Sequence, residues 1–78
     1  MSEEAEWRRA VGKRIRVWRV MRDLSQDELA VSAGVTRNFV SAIERSAQGL
    51  DAIRLRRLAT VMGMTLAELL RPVDERDR

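Results

Sequence analysis

The chain predicts an all-α fold of five short helices, on three observations. Apolar residues recur at helical three- and four-residue steps. A residue able to cap a helix N-terminus stands ahead of four of the apolar runs, at Ser25, Thr36, Asp51 and Thr65. Glycine closes two runs, at Gly34 and Gly63, where a helix end favours a left-handed residue. The length of 78 residues fits one domain, residues 1–78, with an ordered core of about 7–71 and a charged C-terminal tail at 72–78.

The first helix is expected from about Glu4 to Arg22. Trp7, Val11, Ile15 and Trp18 form one stripe, with both tryptophans expected as core anchors. Glu3, Glu4 and Glu6 suit the positive end of the helix dipole, and Arg19 and Arg22 the negative end. The second helix starts at Ser25 with Glu28 three residues on, a capping box, and Leu24 is placed as a hydrophobic staple against Leu29. Leu29, Ala30 and Ala33 face inward, and Gly34 ends the helix. Thr36 caps the third helix, with Val35 as its staple against Val40 and with Ile43 also apolar. A loop from Ser46 to Leu50 follows. Asp51 caps the fourth helix, whose stripe is Leu55, Leu58, Ala59 and Met62. Thr65 and Glu68 make a second capping box for a short fifth helix, with Leu66, Leu69 and Leu70 apolar and Pro72 as its stop.

Composition narrows the function. The chain has no cysteine and no histidine. That removes disulfides, thiolate metal sites, the commonest general base and the commonest zinc ligand. No catalytic residue, metal or cofactor is expected. No stretch approaches the ~20 apolar residues of a membrane span. The acidic opening from Ser2 to Glu6 lacks the marks of an export leader, so cytoplasm is the expected location and no membrane partner is expected. Net charge is +3, but its distribution says more. Between Arg8 and Arg57 stand twelve basic residues against five acids, and the other acids lie mostly near the two ends. A basic middle suits a polyanionic partner.

Ser25 to Arg45 therefore reads as two capped helices joined at Gly34, the skeleton of a helix-turn-helix, which sets its second helix in the DNA major groove. Arg37 and Asn38 open that second helix. Arg pairs with guanine O6 and N7, and Asn with adenine N6 and N7, so both suit base reading; solvated polar residues at a helix start are the plainer alternative. Arg54, Arg56 and Arg57 read as a solvated face. Ile53 points away from the stripe of its helix and is expected to join Leu66 and Leu70 in a dimer patch.

Arg19, Leu24-Ser25-Gln26, Glu28-Leu29-Ala30, Gly34-Val35-Thr36, Ile43-Glu44-Arg45, Leu55 and Leu58-Ala59 together resemble the Cro/C1-type (XRE) helix-turn-helix domains. These include phage repressors and the controller proteins of restriction-modification systems. The resemblance covers roughly Gly12 to Leu70 and implies a compact, lambda-repressor-like five-helix domain. It implies base reading by Arg37 and Asn38, with Ser41 and Ala42 on the same groove-facing side. Gln26, Thr36, Phe39 and Arg45 would meet the phosphate backbone; for Phe39, packing beneath the helix is the competing reading. Arg19 and Glu44 resemble the family's internal ion pair. Three positions depart from the pattern: Asp23 stands where glycine is usual, Ser46 replaces a common glycine, and Leu50 stands where proline is frequent.

The function so implied is a transcriptional regulator binding double-stranded DNA as a homodimer on a palindromic operator, with no small-molecule ligand domain. An antitoxin-type autorepressor bound to a toxin, and a helical protein-interaction module without DNA, are the alternatives. The sequence argues against an enzyme, because Glu28 and Glu68 are taken by capping and Glu44 by the implied ion pair.

Overall fold

A computed structural model describes residues 2–47 and 51–71. It has the expected all-α, lambda-repressor-like architecture: α1 (Glu3–Met21), α2 (Gln26–Ala33), α3 (Arg37–Ser46), α4 (Ala52–Val61) and α5 (Leu66–Leu70), with no strand among the described residues. Gln48, Gly49 and Leu50, and the tail from Pro72, lie outside the described residues.

The start signals act as the sequence predicts, because capping is local. The Ser25 hydroxyl accepts from the Glu28 N–H (3.0 Å) while the Glu28 carboxylate accepts from the Ser25 N–H (2.9 Å). Thr65 and Glu68 repeat this box at 3.1 and 2.9 Å. Thr36 accepts from the Phe39 N–H, and Asp51 from the N–H groups of Ile53 and Arg54. Ser2 adds an unforeseen cap, accepting from Ala5 and starting α1 at Glu3. In both boxes the cap's backbone N–H, aided by its hydroxyl, holds the glutamate carboxyl below its ordinary value.

The helix ends are less regular. Gly34 and Gly63 take the left-handed conformation, at φ 69° and 71°. Asp23 (φ 56°) and Ala47 (φ 48°) take it too, without glycine's freedom. Asp23 thus performs the turn for which the family usually uses glycine. The expected loop start at Ser46 is corrected: α3 runs through Ser46, and the buried Ala47 makes the left-handed step.

Val11, Ile15 and Trp18 of α1 meet Leu29, Ala30 and Ala33 of α2, Val40 and Ile43 of α3, Leu55, Leu58, Ala59 and Met62 near α4, and Leu69 of α5 in one core. At Gly12, an added Cβ would come within 2.5 Å of the Glu44 carbonyl oxygen and 2.7 Å of that of Ile43. Those are backbone atoms that cannot swing aside, so glycine sets how closely α1 and α3 approach. Arg14 and Arg22 tie the C-terminal part to α1 by donating to the carbonyls of Leu70 (3.0 Å) and Met62 (3.1 Å). The guanidinium groups of Arg22 and Arg71 lie over the buried Trp18 ring, at 5.5 and 5.1 Å from its centroid.

The expectation that Trp7 is a core anchor is overturned: half of its surface is exposed. Periodicity placed it on the right stripe, but α5 is five residues long and its last carbonyl is met by Arg14. Trp7 stands two turns earlier on α1, about 10 Å further along the axis, and is absent from the side chains packed against the described core.

Candidate nucleic-acid interface

α2 and α3 meet at the left-handed Gly34, whose N–H donates to the Val31 carbonyl, and Val35 donates back to Ala30. This turn exposes one side of α3. Its other side is spent on the core through Val40 and Ile43, both fully buried. Arg37, Asn38, Ser41, Ala42 and Arg45 fall on the remaining arc, since i, i+4 and i+8 positions stack on one helix face. Arg37, Asn38 and Arg45 are exposed, and Ser41 and Ala42 half-buried. Four polar side chains and the small Ala42 thus share one polar strip of α3.

Beneath that strip lies a buried ion pair. Arg19 donates through Nε (2.6 Å) and Nη2 (3.0 Å) to the two oxygens of Glu44, and through Nη1 to the Leu24 carbonyl (2.7 Å). Only 10% of the Arg19 side chain and 4% of the Glu44 side chain are exposed. A two-pronged contact with the third donor also used is the arrangement that a buried charge requires. It fixes α3 to α1 and to the start of α2. Gln26 joins it, donating from Nε2 to Glu44 Oε1 at 3.2 Å. The residue expected at the phosphate is therefore anchored to the element that carries the reading strip.

A cleft of about 480 Å³ runs beside the strip, between α1, α2 and α3. The exposed Lys13, Arg16 and Arg45 line it together with Gln26 and Ser41. Sequence reasoning had not assigned Lys13 or Arg16 a place here. Their signal was spacing: they precede Arg19 by six and three residues, and Arg19 is the residue that faces α3. Thr36 is an exposed cap whose hydroxyl is engaged by Phe39 N–H. Phe39 is half-buried against the core, and the Arg54 guanidinium lies over its ring at 5.2 Å. Asp27 was also missed. Its Oδ1 lies 3.5 Å from Arg37 Nε across the turn. The expected dimer residues occupy two neighbourhoods. Ile53, 68% exposed, borders a groove with Ser32 and Ala33 of α2, whereas Leu66 and Leu70 are half-buried on α5, where Arg14 of α1 meets the Leu70 carbonyl. Among the described residues no acidic cluster could hold a metal ion, and no helix is long and apolar enough to cross a membrane.

The helix-turn-helix family profile matches residues 15–69, from the middle of α1 to α5. The chain belongs to the Cro/C1-type helix-turn-helix family. A hypothetical transcription factor of Neisseria meningitidis is 32% identical over 76 residues, which span 97% of this chain and 72% of that protein. Its crystal structure has a TM-score of 0.79 against this fold, covering 95% of this chain and 83% of the other. The restriction-modification controller protein C.AhdI of Aeromonas hydrophila is 31% identical, with a TM-score of 0.75 over 83% of this chain and 97% of its own. SinR, a master regulator for biofilm formation whose structure is known in complex with DNA, is 34% identical, with a TM-score of 0.71 over 78% of this chain and 98% of the other. The three match 78–95% of this chain, so the likeness reaches well beyond the two helices of the motif.

Proposed function

We propose that this helix-turn-helix protein is a transcriptional regulator that binds double-stranded DNA sequence-specifically as a homodimer. The observation that carries the reading is the polar strip of α3, where Arg37 and Asn38 stand exposed at the helix start above a scaffold locked by Arg19 and Glu44. Kinship with a protein seen bound to DNA, and with a controller protein, supports it. Arg37, Asn38, Ser41 and Ala42 face base edges in the major groove. Arg45 flanks them toward the phosphates, and Gln26, Thr36 and Phe39 also meet the backbone. Lys13 and Arg16 extend the basic margin of the cleft, so phosphate neutralisation supplies much of the affinity. A second copy, contacted through the exposed Ile53, makes the operator palindromic, with half-sites about 34 Å apart.

The test is binding to a duplex selected by the protein from a random-sequence pool, measured against competitor DNA across a salt series. A footprint on a palindrome that survives competitor is expected. Arg37→Ala should cost about 1–3 kcal/mol on that duplex and relax preference at one base pair. An equal loss on every sequence would move Arg37 to the phosphate contacts. Binding that never distinguishes sequences, however steep in salt, would reduce the protein to a basic surface.

A further inference from the structure

Asp27 is an acid within ionic reach of Arg37, the first residue of the strip expected to meet DNA. It stands in the first turn of α2, one residue after Gln26, and faces the first residue of α3 across the Gly34 turn. The side chains of Asp27 and Arg37 are 72% and 65% exposed. An ion pair that open to water contributes little to folding. Nor does the dipole of α2 depend on Asp27, because Glu28 already supplies an acid bonded into the capping box. Yet an uncompensated carboxylate here would repel the phosphates of any duplex that α2 approached.

The geometry of the pair points to a role. Asp27 approaches Arg37 on the Nε side. The contact is ionic at 3.5 Å rather than a hydrogen bond, and a carboxylate drawn to one edge of a guanidinium favours orientations that leave the other edge free. We infer that Asp27 is a specificity-determining positioning residue: its charge draws the Nε edge of Arg37 toward α2 and so favours presenting the Nη1 and Nη2 edge to a guanine. This inference rests on the reading of α3 as the helix that enters the groove. Asp27 acts in two ways at once. It restricts the rotamers of an exposed Arg, so less freedom is lost when the forked contact to O6 and N7 forms. It also penalises complexes in which Arg37 swings away to a phosphate, since the carboxylate is then left unpaired near backbone charge. Discrimination thus comes from disfavouring the wrong complex as well as favouring the right one.

The experiment compares wild type, Asp27→Asn, Arg37→Ala and the double variant. Each is titrated with a duplex selected by the wild-type protein from a random pool, and with random duplex of equal length, at one salt concentration. Asp27→Asn keeps the shape of the side chain at an exposed position, so melting temperature should stay close to wild type. The ratio of selected to random affinity should fall about fivefold, with random-duplex binding stronger than wild type. In the Arg37→Ala background the same substitution should leave the ratio unchanged. An equal rise on both duplexes, or an identical effect with and without Arg37, overturns the inference and leaves DNA reading intact. Failure of the wild-type protein to select any sequence overturns both together.

Discussion

At the residue scale, two arginines of like chemistry do opposite work, and burial separates them. Arg19 is 8% exposed and spends its donors on Glu44 and the Leu24 carbonyl. Arg37 is exposed, with Asp27 as a single loose ionic contact. Removing the partner of a buried charge leaves that charge stranded, at a cost of about 3–5 kcal/mol. Glu44→Ala should therefore lower the melting temperature sharply, because that loss is a large part of the 5–15 kcal/mol typical of a whole domain. Gln26 would lose its acceptor as well. Arg37→Ala should leave thermal stability within about 0.5 kcal/mol of wild type, as exposed substitutions do. Thermal melts of the two variants side by side check the contrast. An unchanged melting temperature for Glu44→Ala would mean that the pair is too well solvated to matter.

At the element scale, the helices are held by caps that respond to acid. The Glu28 and Glu68 carboxyls lie below the ordinary value of 4.5 in the folded chain, held there by the Ser25 and Thr65 backbone N–H groups and hydroxyls. A carboxyl with a lower value folded than unfolded stabilises the fold above its unfolded value, and that contribution is lost as pH falls through the lowered one. Melting temperature should stay level above about pH 5 and fall as acid protonates both boxes. The variant carrying Glu28→Gln and Glu68→Gln should melt lower at neutral pH and change less in acid; equal acid slopes would place the sensitivity elsewhere. These caps were legible in the sequence because their partners sit three residues apart. So was Gly34, whose left-handed turn few other residues accept. What escaped reading depends on distance in space. Nothing local to Trp7 records that it stays outside the core, and nothing local to Asp27 records that the turn brings it to Arg37. Ala47 escaped for another reason: alanine carries no turn signal, and its burial and its N–H bond to the Ile43 carbonyl go with its positive φ. The polar strip of α3 was legible because its apolar face was; the bond from Gln26 to Glu44 was not, because it joins two helices.

At the scale of the whole molecule, a small core sets the terms. A domain of this size buries a modest fraction of its surface, and association is one way to bury more. Ile53 keeps 68% of its surface in water at the rim of a groove between α2 and α4, where the side chains of Arg56 and Arg57 also lie. A lone exposed apolar side chain is ordinary on a folded surface, so its use has to be tested rather than assumed. In the proposed dimer a second copy covers it. Ile53→Arg places a charge in that contact while disturbing no described core packing, so the monomer should melt as before. Sedimentation of the wild-type protein should show an average mass that rises with concentration, and Ile53→Arg should shift that rise to higher concentration. On DNA the loss should fall on the palindrome, where two linked half-sites gain from a tethered partner, and spare an isolated half-site. Regulation would then follow protein concentration directly, since dimer and occupied operator would appear together. A wild-type protein that stays monomeric at every concentration, on and off DNA, would remove the two-fold axis and with it the reason for the operator to be a palindrome.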